Sequence, residues 1–242
     1  DWSGSMSDKL HATIKQLLNL VMFCKKVNIP FDVYAFSTQW KIKSPQVPKI
    51  GDLIVGDFAL LNLFNNRMSV KDYLDMSRHL LDYGTGFRHL TRHQLTPPSM
   101  ALGGTPLNHA IVASFNLIPE FKEKNKIDIV NAVFLTDGES GQLGNRYDFI
   151  DVRTNRHTVT GEARPGYRIR AVLRDPKTKA CAELKDSKGR YGTQAAIETK
   201  VLLKLLKQRA HCNLLGFYIA PSREMRCAFE LYDEEEFENN YK

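Results

Sequence analysis

Cysteine is scarce. The four in 242 residues, Cys24, Cys181, Cys212 and Cys227, lie far apart with no C-x-x-C pair among them. That spacing argues against both a disulfide framework and a zinc ribbon, and it favours a reducing compartment. Long apolar runs are missing as well: Leu17-Leu18-Asn19-Leu20-Val21-Met22-Phe23 is already broken by a polar residue, far short of the about eighteen apolar residues a membrane span needs. There is no internal repeat and no low-complexity tract. Acidic residues are outnumbered, with 27 Asp and Glu against 34 Lys and Arg for a formal charge of +7. Such an excess permits an acidic or nucleic-acid partner without selecting one. No signal peptide is visible, and the expected location is cytoplasmic. What remains, 43% hydrophobic, 10% aromatic and 25% charged residues, is the composition of one soluble globular domain carrying at most one sizeable insertion.

The pattern along the chain predicts an α/β protein. Leu10, Ile14, Leu17, Leu18, Val21 and Met22 recur at helical spacing between Ser7, a candidate N-cap, and Pro30,. Phe31–Ser37 alternates and is rich in aromatic and β-branched residues, as a strand is. Lys41–Gly56 holds two prolines and two glycines and is expected to be an irregular loop, with room for a short hairpin. A helix is expected over Ser69–Tyr83, and another from Leu107 to about Phe121, with Pro106 at its first turn. Ile127–Thr136 is almost continuously apolar and ends in Asp137-Gly138, the form of a buried parallel strand with its C-terminal loop. From 139 to 190 the helical period vanishes and the sequence turns basic. This stretch is read as an insertion between a first part, 1–138, and a last part, 191–242. It contains a predicted hairpin whose strands are Ile169–Arg174 and Lys179–Leu184. A helix over Gln194–Gln208, a strand over Asn213–Ala220 and an acidic terminal segment around Glu234 complete the chain.

Three places carry oxygen donors at predicted loop positions. Asp1-Trp2-Ser3-Gly4-Ser5 has the spacing D-x-S-x-S directly before a helix, turning Asp1, Ser3 and Ser5 toward one point. Thr105 follows two glycines and precedes a helix, and Asp137 stands at the tip of the apolar strand. In an open α/β sheet ligands gather outside the carboxyl ends of the strands, and all three loops would lie on that edge. Hydroxyl and carboxylate oxygens together suit Mg²⁺ or Mn²⁺ rather than zinc.

On these residues the sequence resembles the von Willebrand factor A domains with a metal-ion-dependent adhesion site. Asp1, Ser3 and Ser5 match the family's D-x-S-x-S motif, Thr105 in Gly-Gly-Thr-Pro-Leu its separate threonine, and Asp137 in Leu-Thr-Asp-Gly its separate aspartate. The resemblance covers 1–138 and resumes at the last helix and strand. It implies a Rossmann-like, mostly parallel central sheet flanked by helices. It also implies a first central strand ending at Asp1, which is missing from this sequence and would be supplied from upstream or by another segment. The implied ligands are Ser3, Ser5 and Thr105 directly, with Asp1 and Asp137 binding through water or directly, and an open position that accepts a carboxylate from a partner protein. Met6, the segment Leu61–Ser69 and Thr105-Pro106-Leu107 look most like the intracellular branch related to cobaltochelatase and magnesium-chelatase subunits. Proteins of that branch occur in bacteria and tailed bacteriophages, commonly beside a chelatase-type AAA+ ATPase. The implied function is that of a binding module, an adaptor or coupling subunit of such an ATPase, rather than an enzyme.

Other readings compete for the same residues. A D-x-S-x-S cluster alone can cap a helix without any metal. A serine nucleophile would need Ser3 or Ser5 beside His11 or His109, but no G-x-S-x-G elbow is present. His89 and His93 form an H-x-x-x-H pair with no third ligand at matching distance, and Arg88 and Arg92 beside them repel a cation. The basic insertion offers Arg164, Arg168, Arg170 and Arg174 to phosphates, with Tyr147, Phe149 and Tyr167 available for stacking, so the alternative function is a nucleic-acid-binding or virion-associated protein. The acidic terminus could dock on that insertion or plug the metal site.

Overall fold

A computed structural model describes residues 1–38, 53–54, 58–88, 100–141, 143–145, 147–151, 156–160, 171–184 and 194–219. In chain order a single 3-10 turn, Gly4–Met6, leads into α1 (Leu10–Lys26), followed by β1 (Asp32–Ser37), β2 (Leu53–Ile54), β3 (Ala59–Asn65), α2 (Val70–Arg88), α3 (Leu107–Asn125) and β4 (Asn131–Thr136). Then come β5 (Gly144–Asn145), β6 (Tyr147–Asp151), β7 (Arg156–Thr160), β8 (Ala171–Arg174), β9 (Cys181–Leu184), α4 (Gln194–Ala210) and β10 (Asn213–Tyr218). The protein is a mixed α/β structure of helices and small sheets. No described helix is long and apolar enough to cross a membrane.

Two layered units carry most of the core. β1 and β3 pair antiparallel from Asp32 opposite Asn65 to Ser37 opposite Ala59. Helices α1 and α2 cover this ribbon: Leu10, Ile14, Leu18 and Val21 recur at three- and four-residue intervals and bury against Leu63, Phe64, Tyr73 and Leu80,. The helix ends where Asn28 takes a left-handed conformation (φ 58), which an asparagine tolerates better than most residues. In the second unit β4 and β10 run parallel and in register, Asn131 beside Asn213 through Thr136 beside Tyr218. Ile111 and Ile118 of α3 and Leu202 and Leu206 of α4 share a cluster with Phe134 and Leu214 of this ribbon.

Of the five two-stranded pairings among the described residues, β4–β10 is the parallel one. The expected sheet was mostly parallel. The difference arises because β1 and β3 are joined in an up-and-down order and because β2–β5, β6–β7 and β8–β9 are antiparallel. β1 and β4 do not pair with each other. Instead the backbone of residues 1 and 2 reaches both: the Asp1 nitrogen donates to the Leu135 carbonyl at 3.0 Å and the Trp2 N–H to the Phe36 carbonyl at 2.9 Å.

Several expectations need correction. Ser7 does not cap α1; Lys9 is the capping residue and makes no side-chain cap bond, because the 3-10 turn intervenes. The apolar run from Ile127 becomes a strand only at Asn131, since Lys126 is left-handed (φ 54) and ends α3 immediately before it. Helix α3 runs on to Asn125 through Pro119. β3, β6 and β7 are strands that the sequence reading did not assign. The expected hairpin is present as β8 and β9 with Ala171 opposite Leu184, and it packs against α4 through Leu184, Val201 and Leu205.

One buried ion pair fastens that hairpin. The Asp175 carboxylate, with no side-chain exposure, lies 2.6 Å from the Arg209 guanidinium of α4 and also accepts from the Thr178 hydroxyl at 2.6 Å and from the Lys177 N–H at 3.1 Å. Burial pushes this carboxyl upward, but the bonds from Thr178, from the backbone and from Arg209 outweigh it and bring it down to about 2 from 3.8. A pKa lowered on folding contributes stability that is complete above pH ~4 and is lost as pH falls toward ~2, an amount of about 2 kcal/mol. Asp175→Asn is therefore expected to lower the unfolding free energy by roughly 2 kcal/mol at pH 7 and by much less at pH 2. Urea titrations at the two pH values check this, and an equal loss at both would show that the charge is not what matters.

Candidate metal centre

The D-x-S-x-S loop is held from two sides. Ser3 makes a parallel bridge with Gly103, the Gly4 N–H donates to the Gly103 carbonyl at 2.8 Å and the Gly103 N–H to the Trp2 carbonyl at 3.2 Å. Only a glycine fits at 103, because a Cβ there would stand 2.6 Å from the Ser37 hydroxyl and 2.7 Å from the Thr38 carbonyl. Trp2 anchors the loop from beneath. Its ring stacks on Tyr83 at 5.2 Å, and its Nε1–H and the Tyr83 hydroxyl both donate to the Met100 carbonyl, at 2.8 and 2.7 Å. Burial of that hydroxyl pushes Tyr83 up to about 12.

The oxygen donors converge above this anchor. The Ser3 and Ser5 hydroxyls lie 2.9 Å apart, and the Ser5 hydroxyl donates to Asp137 Oδ1 at 2.8 Å. Asp1 accepts from the Thr136 hydroxyl at 2.7 Å through Oδ2. Its other oxygen, Oδ1, is buried and has no hydrogen-bond partner. Thr105 belongs to the same cluster of loops: its carbonyl accepts from the Gly141 N–H at 3.0 Å, and a Cβ on Gly138 would lie 3.8 Å from its hydroxyl oxygen. Ser3 is 1% exposed and the Asp137 side chain 1%, whereas Ser5 is exposed, so the site is enclosed at its base and open at Ser5. Its second carboxylate oxygen, Asp137 Oδ2, accepts from the Lys9 ammonium at 2.8 Å.

A buried carboxylate oxygen without a donor is costly unless a cation compensates it. Asp1 Oδ1, two serine hydroxyls, a threonine and Asp137 make up a set of hard oxygen donors, and that set suits Mg²⁺ or Mn²⁺. No three His, Cys, Asp or Glu side chains come together among the described residues, so hydroxyls and two carboxylates form the donor set available here. The residues present thus fit the ion expected from the sequence.

Behind the site lies a polar network that sequence reasoning missed. The Asn108 N–H, in the first turn of α3, donates to the Ser140 hydroxyl at 2.8 Å. Its side-chain amide donates to the Ala195 carbonyl at 3.1 Å and to Glu198 at 3.4 Å, and its side-chain oxygen accepts from Thr199 at 2.6 Å. Glu198, 1% exposed, also accepts from the Leu143 N–H at 3.0 Å. This network ties the loop after Asp137 to α3 and α4. The signal in the sequence is a Glu-Thr pair set among Ala195, Ile197, Val201 and Leu202.

The competing residues are placed elsewhere. His11 meets the Thr85 hydroxyl at 3.5 Å and His109 stacks on Phe58 at 5.9 Å, while Ser3 and Ser5 bond to each other and Ser5 to Asp137. Arg174 is exposed at the end of β8, opposite Cys181. His89, His93, Arg164, Arg168, Arg170 and the acidic terminus lie outside the described residues. Comparison with family models, with curated proteins and with solved structures returns no match for this chain.

The tight fit at Gly103 gives a structural test. Gly103→Ala is expected to destabilise the fold by roughly 1–3 kcal/mol, as overpacking against fixed backbone does. Gly104→Ala, whose new Cβ would meet only the Thr38 side chain at 3.3–3.4 Å and beyond, is expected to cost clearly less. Thermal unfolding of the two variants checks the order, and a reversed order would contradict the described packing of these loops.

Proposed function

We propose that this chain is a von Willebrand A-type domain whose adhesion site holds Mg²⁺ or Mn²⁺ and through it grips an acidic residue of a partner protein. The observation that carries the reading is the convergence of Ser5 on Asp137 at 2.8 Å beside a buried Asp1 oxygen that has no hydrogen-bond partner. Ser3, Ser5 and Thr105 would hold the ion directly, with Asp1 and Asp137 bound directly or through water. The ion supplies a dication that two carboxylates must share with a hydroxyl shell, leaving it attractive to a further anionic oxygen. The chain's own part is to bring separate loops together and shelter them, with Trp2, Gly103 and the Asn108 network fixing their backbones.

On this reading the protein is a binding module rather than an enzyme. It acts as an adaptor or coupling subunit, and a chelatase-type AAA+ ATPase is the partner class that the sequence resemblance favours. The test is affinity capture with the full chain in Mg²⁺ and in EDTA, beside Asp137→Ala. A protein partner retained by the wild type in Mg²⁺ and lost both in EDTA and in the variant is the expected result. Capture of nucleic acid that falls steeply with salt but ignores EDTA and Asp137 would overturn the proposal in favour of the basic segment.

A further inference from the structure

Resting on the metal-site reading above, we infer that Lys9 is a tethered cation that neutralises Asp137 when no divalent ion is bound and must be displaced when one enters, so that Lys9 sets the divalent concentration at which the site fills. The two carboxylates of the site are compensated unequally. Both oxygens of Asp137 are occupied, Oδ1 by the Ser5 hydroxyl at 2.8 Å and Oδ2 by the Lys9 ammonium at 2.8 Å, whereas Asp1 keeps Oδ1 without a hydrogen-bond partner. The ammonium also reaches the Ser5 carbonyl at 3.4 Å, so it sits over the same loop that offers the hydroxyls.

Asp137 is almost fully enclosed and Lys9 is partly open, with side-chain exposures of 1% and 23%. A buried carboxylate needs a positive partner, and this ammonium, 2.8 Å from Asp137 Oδ2, supplies one,. An ammonium and a divalent ion next to one carboxylate repel each other in a site of low polarity. Displacement requires little from the backbone. Lys9 is pinned at the start of α1, its N–H donating to the Met6 carbonyl at 2.9 Å and its carbonyl accepting from the Thr13 N–H at 3.0 Å and the Thr13 hydroxyl at 3.0 Å, while its ammonium is carried on a flexible four-carbon stem. A landing place is at hand: the carboxylate of Asp8, 75% exposed, already lies 3.8 Å from the same ammonium. Lysine in this position thus makes occupancy an exchange of one cation for another.

The experiment titrates the full chain with Mn²⁺ by calorimetry, for wild type, Lys9→Met and Lys9→Gln. The glutamine variant keeps a neutral donor for Asp137 and covers the case in which the methionine variant does not fold. Expected are at least tenfold tighter Mn²⁺ binding in the variants and a metal-free melting temperature below that of the wild type, recovered by saturating Mn²⁺. In the wild type, acylation of Lys9 by acetic anhydride, read by peptide mass spectrometry against Lys25 as reference, should rise severalfold on adding Mn²⁺. Variants that bind Mn²⁺ no more tightly than the wild type, or Lys9 labelling that Mn²⁺ leaves unmoved, would overturn the role of Lys9 and leave the metal site standing. Absence of Mn²⁺ binding in wild type and folded variants alike would overturn both.

Discussion

Residues 1 to 5 join two separately packed units, and the geometry of the site depends on that junction. The Asp1 nitrogen bonds to β4, the Trp2 N–H to β1, and Ser3 and Gly4 to Gly103 ahead of α3. Neither unit carries the oxygen cluster alone. Asp137 belongs to the unit of β4, β10, α3 and α4, whereas Trp2 and the helix after Ser5 pack into the cluster of α1, α2, β1 and β3. The Ser5–Asp137 hydrogen bond and the Lys9–Asp137 ion pair therefore span the boundary, each joining an enclosed carboxylate to a partner that is more open to solvent.

The rest of the site follows from how each unit fixes its own loop. Trp2 is locked by stacking on Tyr83 and by a hydrogen bond to Met100, so the bulky residue inside the motif packs under the loop and does not face outward. Gly103 must be glycine because a Cβ there would stand less than 3 Å from Ser37, the last residue of β1, and from Thr38 after it. On the other side Asn108 binds both Ser140 and Glu198 behind the segment that follows Asp137. A site supported by locked backbones on both sides keeps its hydroxyls oriented before any ligand arrives.

Much of this was legible in the sequence and some of it was not, for identifiable reasons. The amphipathic period of α1 and the β-branched and aromatic content of β1 are local signals, and both elements stand within a few residues of where those signals put them. The motif residues Asp1, Ser3, Ser5 and Asp137 could be grouped on paper through their resemblance to one motif set, and the structure bonds Ser3 to Ser5 and Ser5 to Asp137, while the Asp1 carboxylate is held by Thr136. β3 was passed over because Ala59–Asn65 lacks the alternation of a half-buried strand: its burial runs through two consecutive residues, Leu63 and Phe64, at the β-bulge end of the ribbon. Lys9 escaped notice for a different cause. A lysine at the start of a helix looks like a solvated surface residue, and only the fold, by bringing Asp137 across from 128 positions away, turns it into part of the site. Glu198 was hidden in the same manner, its role set by a loop far off in the chain.

The placement of the donors links binding to stability. A cation bound by Asp1, Ser3 and Ser5 from one segment and by Thr105 and Asp137 from others would favour the arrangement in which the two units are joined, by an amount that grows with the logarithm of its concentration over the dissociation constant. Lys9 already supplies part of that joining in the metal-free protein, because its backbone is anchored at the start of α1 and its ammonium reaches the loop after β4. Exchange of the ammonium for a dication would thus change the charge at the junction more than the connection. On the proposed reading, a partner's carboxylate would meet a junction that is held in either state, and the energy of the new contact would not have to be spent on assembling the site.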